Sequence, residues 1–508
     1  MSSLADGISS LTPRQRTLAA LVLALSNFMV VLDLTIANVS VPHIAGNLGI
    51  TPDQGTWIIT SYAVAEAICV PLTGWLSQRF GTVRVFTFSM VGFGIFSLLC
   101  GLSMSLGMIV ACRIGQGICG GPIMPMSQTL LVRIFPPDQR ARVMGLWAMT
   151  TLIGPAAGPI IGGYISDNWS WHWIFFINLP IAALCVFAAM VLLRPAENEP
   201  RKLPIDYVGL GLLIFWIGCL QVMLDLGRDR DWFGDPLIVT LAVLAAIGFC
   251  VFLIWELTEE HPVVDLKVFR HIGFTSGVVS LALCFGAYFA GIVIIPQWLQ
   301  MSMGYTATSA GFVTAFTAST AILTAPIAAR VMNKVDARIL VSGAIVWLGM
   351  ATFWRAGWTS TADFWTLAMP QIVQGFAMPF FMIPLTTLTL GSVLPEETAS
   401  AAGMQSFLRT IAVAITTSVV LTGWSDGQRT SRSEMVSALP PDAAAPLTGS
   451  GFSPEQSRQM LSDLVDQQAT VISMDYVFFV ASLCLFAAAA LIWLGPRPTG
   501  KVDTSSAH

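Results

Sequence analysis

Charged side chains are scarce in this chain. Only 11% of its 508 residues are Asp, Glu, Lys or Arg, whereas a soluble domain carries about 25%. Hydrophobic residues make up 55% of the chain. An aqueous fold cannot hide that much apolar surface, so the composition excludes a soluble globular protein and predicts one surrounded by a lipid bilayer. The net charge of −4 gives no reason to expect a nucleic-acid partner.

Signatures of nucleotide, metal and cofactor chemistry are also missing from the sequence. No glycine-rich loop ends in Lys-Ser or Lys-Thr, which argues against direct use of ATP. The nine cysteines lack metal-ligand spacing and fall within apolar runs or at their ends, where they are expected to pack as small hydrophobic side chains. We therefore predict no enzyme activity, no cofactor and no metal site.

The chain has instead fourteen apolar runs, each about twenty residues long. Crossing a hydrocarbon core of about 30 Å takes about 20 helical residues, and helices satisfy their own backbone hydrogen bonds in lipid. The fold class predicted is all-α integral membrane, with the following spans: 17–41, 55–76, 85–103, 106–127, 142–165, 173–193, 207–225, 236–256, 274–299, 308–329, 338–356, 364–391, 399–422 and 474–495.

The distribution of basic residues predicts how the chain lies in the membrane. An even number of spans puts both termini on the same side. With a cytoplasmic N-terminus, seventeen of the 25 Lys and Arg lie in cytoplasmic segments, which is the orientation that the positive-inside rule favours. Residues 423–473 then form an extracytoplasmic loop, whose segment 454–468 is rich in polar helix formers. This loop is either a solvated linker or a docking surface for another protein.

An internal repeat divides the chain. The segment Arg113-Ile114-Gly115-Gln116-Gly117 is echoed 258 residues later by Gln371-Ile372-Val373-Gln374-Gly375, and Pro71 returns as Pro326 at an interval of 255. The repeat predicts two homologous six-helix halves, residues 1–200 and 261–508, separated by two inserted spans within 201–260. Parallel six-helix repeats are typical of transporters whose binding site lies between the halves, near the bilayer midplane.

Four ionisable residues lie deep inside the predicted spans. Two of them lie at a similar depth, on spans that enter the membrane from opposite sides. Asp33 lies roughly 24 Å from the cytoplasmic edge and Arg113 about 10 Å below the outer surface, at about 1.5 Å per helical residue. Charges at such depth face a partner, a bundle interior or water. Asp33 is therefore either a proton-exchanging carboxylate tuned by Arg113 or the acidic member of a static ion pair.

The other two deep residues, Glu66 and Arg409, are predicted near mid-depth. Desolvation disfavours a carboxylate anion there, so Glu66 is a second candidate proton carrier or a cation-attracting group of the cavity. An interhelical hydrogen bond is the alternative. Arg409 either orders helix packing or contacts substrate.

Glycine and proline are concentrated in the fifth span, within the run from Gly154 to Gly163. Small residues let helix backbones approach closely, and prolines remove backbone donors and bend a helix. The run predicts an interface that seals and reopens, with ordinary tight packing as the alternative for any one glycine. Its candidate residues are Gly154, Pro155, Gly158, Pro159, Gly162 and Gly163.

These patterns resemble the major facilitator superfamily, and within it the fourteen-span drug:proton antiporters. The segment Leu32 to Pro42 is similar to the subfamily's first-span motif, Arg113 to Gly121 to its fourth-span motif, and Gly154 to Gly163 to its fifth-span antiporter motif. Two further stretches, Gln54 to Ser61 and Trp171 to Asn178, resemble EmrB-type exporters of Gram-negative inner membranes.

The resemblance implies export of amphipathic, largely hydrophobic drugs across the bacterial inner membrane in exchange for protons. It also implies a periplasmic adaptor of the EmrA type and an outer-membrane channel of the TolC type. On this basis Asp33, Glu66 and Arg113 are expected to couple proton movement, and Asn38, Gln116 and Arg409 to lie at the cavity. A proton-coupled symporter, or an exporter of one specific metabolite, is the alternative.

The loop between the second and third spans resembles the gating-loop motif of the same superfamily. Gly74, Arg79, Gly81 and Arg84 match the motif, but Gln78 stands where the family usually has an aspartate. The charge relay ascribed to that loop therefore lacks its acidic member in this chain.

Overall fold

The computed structural model describes residues 11–201, 204–227, 230–332, 335–440, 443, 447, 448, 450 and 452–494. Both ends of the chain, whose placement in the cytoplasm is predicted from the sequence, lie outside these residues. Within the described residues every regular element is a helix. In this part of the chain, twelve helices are long and apolar enough to cross a membrane, or up to fourteen if each of two bent helix pairs is one span. The predicted all-α membrane fold is thus confirmed.

Among the described residues, the predicted first half contains nine α-helices: α1 (Pro13–Leu48), α2 (Pro52–Cys69), α3 (Thr73–Phe80), α4 (Thr82–Gly101), α5 (Leu106–Gly120), α6 (Ile123–Ile134), α7 (Pro137–Asn168), α8 (Trp173–Phe176) and α9 (Asn178–Ala188). The two spans predicted as an insertion correspond to α10 (Tyr207–Gly227) and α11 (Pro236–Thr258). The second half contains α12 (Ile272–Met301), α13 (Ala307–Val331), α14 (Ala337–Arg355), α15 (Phe364–Gly391), α16 (Thr398–Ala438) and α17 (Pro454–Leu491).

Several helices begin where the sequence supplies a complete N-terminal cap. Thr12, Thr51 and Ser453 each accept a hydrogen bond from the backbone of a glutamine three residues later, and that glutamine's side chain bonds back to the cap residue. A proline occupies the first turn in all three cases. These reciprocal bonds satisfy backbone donors that the first turn leaves unpaired.

Two spans are bent, and one of them is longer than the sequence predicted. The second span breaks by 59° between Cys69 and Thr73 and then continues as α3 to Phe80, so its predicted end at 76 is too early. The fifth span, α7, bends by 44° between Pro155 and Ile160. A proline removes a helical hydrogen bond and clashes with the preceding turn, which accounts for a bend within this proline-containing run.

The two halves repeat the same packing. In the first half α1 packs against α7 and α2 against α5, and in the second half α12 packs against α16 and α13 against α15. A Cβ atom added to Gly117 would lie 2.5 Å from the carbonyl oxygen of Tyr62, and one added to Gly375 would collide with the carbonyl oxygen of Thr317. The halves meet where α7 contacts α13 and α15 and where α3 contacts α16.

Residues 423–473 correct the prediction of a long loop. α16 continues beyond its predicted end to Ala438, and α17 begins at Pro454, so residues 423–438 and 454–473 form two antiparallel helical segments. The indole of Trp424 donates to the carbonyl of Thr470 at 3.3 Å, and Arg432 pairs with Asp466. Residues 454–468 are rich in polar helix formers, and the contacts of α17 with residues 423–438 accompany the continuation of α16. A solvated linker is therefore confined to residues 439–453, several of which lie outside the described residues.

Candidate functional site

A cavity of about 490 Å³ lies between the two halves. Its walls come from α1, α2 and α7 of the first half, from α12 and α16 of the second half, and from the inserted helix α10. Glu66, Met124 and Arg409 lie at one end of it, and Asn38, Trp57, Asp225 and Leu421 line its other part. Apolar side chains, including Phe285 and Phe289, make up much of the surface between. Such a cavity suits an amphipathic molecule held by few polar contacts.

Opposite charges from the two halves face the inner part of the cavity. Glu66 of α2 is 6% exposed and Arg409 of α16 is 8% exposed. The guanidinium of Arg409 lies 5.4 Å from the centroid of the Phe285 ring and contacts the sulfur of Met124. Glu66 and Arg409 are near enough to interact electrostatically. Because each belongs to a different half, any movement of one half against the other changes this interaction.

Helical spacing brings Glu66 to the cavity. Ile59, Thr60, Ala63 and Glu66 all line it, and residues three or four apart share one face of a helix. The same spacing places Arg409, Val413 and Thr417 of α16 on the opposite wall.

Asp33 lies in a separate, fully buried polar cluster. Its carboxylate oxygen Oδ2 is 2.6 Å from Nη1 of Arg113, and its Oδ1 accepts from Gln116 at 3.0 Å and from Asn178 at 2.7 Å. The structure therefore brings Asp33 and Arg113 together, as their predicted depths require, and joins α1, α5 and α9. We call Asp33, Arg113, Gln116 and Asn178 the first-half cluster.

Arg113 is held by more than its acidic partner. Its Nε donates to the carbonyl of Ile58 at 3.0 Å, and its Nη1 donates to Oε1 of Gln116 at 2.8 Å. The guanidinium also lies 4.1 Å from the centroid of the Tyr62 ring. This set of contacts fixes the arginine in one position beside Asp33.

The first-half cluster is closed off from the cavity in this conformation. Val31, Leu34 and Thr35 line the cavity, whereas Asp33 between them is fully buried. Gln116, which was predicted at the cavity, lies in the cluster instead, while Asn38 is exposed at the cavity wall. Proton exchange between Asp33 and water therefore requires a different arrangement of the helices.

Comparison with known proteins agrees with this architecture. The model of the Major Facilitator Superfamily matches residues 23–417. The chain belongs to the major facilitator superfamily. It is 41% identical over 493 residues to the multidrug export protein EmrB of Escherichia coli (strain K12), with 96% of each chain covered. It is also 38% identical to the fatty acid resistance protein FarB of Neisseria gonorrhoeae, covering 94% of this chain and 95% of that one.

Solved structures share the fold at low sequence identity. The proton:xylose symporter XylE superposes with a TM-score of 0.60 at 13% identity, covering 95% of this chain and 96% of that one. The human organic anion transporter MFSD10 gives a TM-score of 0.55 at 16% identity, covering 94% of this chain and 100% of that one. The predicted membership in the superfamily, with likeness to EmrB-type exporters, is confirmed, and the chain is a multi-pass membrane transporter rather than an enzyme.

The glycine and proline run of this superfamily member packs α7 against α1 within the first half. A Cβ atom on Gly154 would lie 2.5 Å from Cγ1 of Val31, and one on Gly162 would lie 3.0 Å from the carbonyl oxygen of Ile36. A Cβ on Gly158 would collide with the side chain of Thr35. Pro155 lines the cavity.

The run contains two further candidate residues, Gly163 and Pro159. Gly163 is half-buried, and the side chain of Pro159 lies outside the described side chains. Glycines outside the run lie where the two halves meet. A Cβ on Gly145 would lie 3.0 Å from Cδ1 of Ile383, and one on Gly311 would lie 3.2 Å from Cγ1 of Ile160. The glycines Gly154, Gly158 and Gly162 thus allow α7 to pack closely against α1.

The gating loop obtains its carboxylate from elsewhere in the chain. Glu197, which follows the sixth span, accepts hydrogen bonds from the backbone N–H groups of Val83 and Arg84, both at 3.0 Å, at the start of α4. Gly81 has φ of 95°, and a Cβ there would lie 2.6 Å from Oε1 of Glu197. A carboxylate at a helix N-terminus is favourable. Glu197 therefore supplies a carboxylate at the N-terminus of α4, next to the loop that contains Gln78.

Of the other gating-loop residues predicted from the sequence, Gly74 lies at the contact between the halves, whereas Arg79 and Arg84 contact residues of the first half. A Cβ on Gly74 of α3 would lie 2.7 Å from Cα of Ser400 of α16. The guanidinium of Arg79 lies 5.3 Å from the centroid of the Trp75 ring, and Arg84 is 3.9 Å from the Glu197 carboxylate. Any larger residue at Gly74 would push the two halves apart.

Besides Glu197, sequence reasoning missed two charged residues that the fold places at buried or cavity-lining positions. Arg355, at the end of the predicted eleventh span, is 1% exposed and donates to Oε1 of Gln371 at 2.8 Å and to Gln374. Asp225, at the end of the predicted seventh span, lines the cavity. A signal existed for each: Gln371 and Gln374 repeat the positions of Arg113 and Gln116, and Asp225 follows Gln221 by four residues, on one helical face.

Proposed function

We propose that this chain is a proton-coupled antiporter that exports amphipathic, largely hydrophobic compounds across the bacterial inner membrane. The observation that carries the proposal is the mostly apolar cavity between the halves, with Glu66 from one half and Arg409 from the other at its inner part. An apolar wall containing Phe and Met side chains accommodates varied substrates. The similarity to EmrB over 96% of the chain supports drugs as the substrate class.

The conformation fits the outward-facing state of such an exporter. The halves are in tight contact at the end where α3 meets α16: a Cβ on Gly403 would lie 3.1 Å from the carbonyl oxygen of Val70. At the same end Arg201 pairs with Glu396 at 3.6 Å. We assign this end, and both termini, to the cytoplasm because the positive-inside rule favours that orientation. The cavity then lies on the side from which an exported compound leaves.

The two carboxylates take part at different stages of the proposed cycle. Glu66 faces the cavity in this state, so protons from outside reach it first. Protonation removes its attraction to Arg409 of the other half, which lowers the cost of rocking the halves apart. Asp33 is sequestered with Arg113 and becomes exchangeable when α1 and α7 move.

The helical extensions of α16 and α17 support assembly with a periplasmic adaptor of the EmrA type and an outer-membrane channel of the TolC type. Residues 423–438 extend α16 by roughly 24 Å, at about 1.5 Å per residue, beyond the predicted span. The first turns of α17, which pack beside this extension, present polar side chains such as Gln459 and Asp463 to the solvent. Removing 423–473 and joining the helix ends should abolish co-purification with the adaptor; undiminished co-purification would overturn this part of the proposal.

Inverted membrane vesicles provide the test of the transport proposal. With an acidic vesicle interior, the wild-type chain should accumulate tetraphenylphosphonium, and collapse of the pH gradient by nigericin should stop the accumulation. Substrate would enter the vesicle as protons leave it. Substrate movement in the same direction as the protons would instead identify a symporter and overturn the proposal.

A further inference from the structure

The inserted helix α10 forms part of the transport cavity. Gln221, Leu224 and Asp225, in its last two turns, line the cavity together with residues of α2 and α16. The two inserted spans are an addition to the six-helix repeat, so no equivalent side chain exists in either half. Asp225 is therefore a cavity carboxylate that the repeat itself does not supply.

α10 is held in this place by contacts with both halves. It packs against α2 and α16, which have few contacts with each other. The hydroxyl of Ser418 donates to the carbonyl of Leu224 at 2.7 Å, and the indole of Trp232, just after α10, donates to the hydroxyl of Thr422 at 2.8 Å. α10 thus fills the gap between α2 and α16 on the outer side of the cavity.

The Asp225 carboxylate is accessible from the cavity and has neutral polar side chains beside it. Its side chain is exposed, and the side chains of Thr60 and Gln221 are near enough to interact with it. No Lys or Arg among the described residues forms an ion pair with it within 4.0 Å. Among the residues that line the cavity, the ionisable ones are Glu66, Asp225 and Arg409, so the lining contains two acids and one base.

We propose that Asp225 is a specificity-determining residue that binds the positive charge of cationic amphipathic substrates. An ionised carboxylate in an apolar cavity attracts a cation more strongly than it would in water, since low-dielectric walls focus the field. The attraction acts on charge, so a neutral compound of the same shape gains little from it. This inference rests on the proposed export function and narrows its substrate class.

Binding to the full-length chain in nanodiscs tests the proposal with two matched probes. Tetraphenylphosphonium carries a permanent positive charge, and triphenylphosphine oxide is a neutral compound of related shape. Asp225→Asn should weaken binding of the cation by about tenfold and should change binding of the neutral probe by less than about twofold. Asp225→Glu, which keeps the charge, should retain most of the preference for the cation. Increasing salt should lower cation affinity in the wild type more than in Asp225→Asn.

Control variants keep the result interpretable. Asp426→Asn removes the same charge from an exposed position of α16, where Asp426 lies 3.5 Å from Arg429, and should leave both affinities unchanged. Asp225→Ser replaces Asp225→Asn if the latter fails to fold. Equal weakening of both probes, or unchanged cation affinity, in a folded neutral variant would overturn the inference.

The outcome also separates this inference from the proposed function. If the wild-type chain transports neither probe when a pH gradient is applied, the export proposal is overturned. If it transports both probes, and neutralising Asp225 leaves the ratio of cation affinity to neutral-probe affinity unchanged, only the role of Asp225 is overturned.

Discussion

The two halves of the transporter contain equivalent buried polar clusters with different chemistry. In the first half Arg113 and Gln116 of α5 surround the carboxylate of Asp33. The repeat interval of 258 carries these two positions to Gln371 and Gln374 of α15, and the structure adds the guanidinium of Arg355 from α14. Both clusters thus contain one buried arginine and at least one glutamine, but only the first contains an acid among the described residues.

Neither candidate proton carrier has an acidic counterpart in the second half. At the repeat interval of 255 residues, Asp33 corresponds to Tyr288 and Glu66 corresponds to Ala321. Tyr288 is near enough to Arg355 to interact with it electrostatically, and Ala321 is fully packed in the core. The scaffold is therefore repeated, while the proposed proton exchange is confined to the first half. The second half contributes Arg409, the charge that faces Glu66 across the cavity.

Neutralising Asp33 should produce the largest effect. Asp33→Asn leaves Arg113 as a buried charge without its partner, which costs about 3–5 kcal/mol of folding free energy, and should abolish transport driven by a pH gradient. Thermal unfolding and uptake into inverted vesicles measure the two effects. The double variant Asp33→Asn, Arg113→Gln removes both charges and should recover much of the stability without recovering gradient-driven transport.

That double variant distinguishes the two interpretations of the ion pair. Proton-driven uptake at the wild-type level in the double variant would show that the pair is only structural. In that case the comparison between the halves would have no bearing on coupling.

Neutralising Glu66 should have the next largest effect. Glu66→Gln removes a cavity charge that interacts with Arg409, and we expect gradient-driven uptake to fall by about tenfold, equivalent to about 1.4 kcal/mol. Glu260→Gln, at an exposed position just after α11, is the matched control and should transport normally. A double-mutant cycle with Arg409→Gln should give a coupling energy of about 0.5–3 kcal/mol; strict additivity would show that the two charges act independently.

The contact of α1 with α7 should respond more strongly to added volume than its counterpart in the second half. A Cβ on Gly158 would meet the side chain of Thr35 and lie 3.1 Å from the backbone nitrogen of Ile36, whereas a Cβ on Gly286 would meet mainly the hydroxyl of Thr416 at 2.5 Å. A hydroxyl can rotate away, but a backbone cannot. Gly158→Ala should cost about 1–3 kcal/mol and slow transport, and Gly286→Ala should cost less. Equal losses of thermal stability would contradict this difference.

Adding an acid to the second cluster should give the smallest effect. Gln374→Glu places a carboxylate beside Arg355 and should stabilise the chain by about 1 kcal/mol through a charge-assisted hydrogen bond. It should leave the number of protons exchanged per substrate unchanged, because Gln374 does not line the cavity. Thermal unfolding and proton-to-substrate counting in vesicles check the two statements. An altered stoichiometry would show that either half can couple protons.

The sequence was sufficient to predict the all-α membrane fold and the contact of Asp33 with Arg113, because both depend on hydropathy and helical rise. It could not predict the helical continuation at 423–438, since polar composition is compatible with both a solvated helix and a linker. It also could not show that Gln116 faces Asp33 rather than the cavity. That choice depends on the rotation of α5 against α1, which only packing decides.

Charged residues near the ends of the predicted spans were also not recognised from the sequence as members of a site. Arg355 and Asp225 were assigned to edges, where a few residues of error separate solvent from a buried site. Glu197 was missed because its contact with α4 joins positions far apart in the sequence. Depth from hydropathy therefore identifies the charges at mid-membrane, and the three-dimensional contacts are needed for the others.

Proton release on substrate binding tests the central claim most directly. Purified chain in weakly buffered solution is mixed with tetraphenylphosphonium, and released protons are counted with a pH indicator. We predict release of about one proton per bound substrate by the wild type and none by the double variant Asp33→Asn, Glu66→Gln, provided that the variant still binds the probe. Wild-type binding without proton release, or undiminished release by the double variant, would contradict the account.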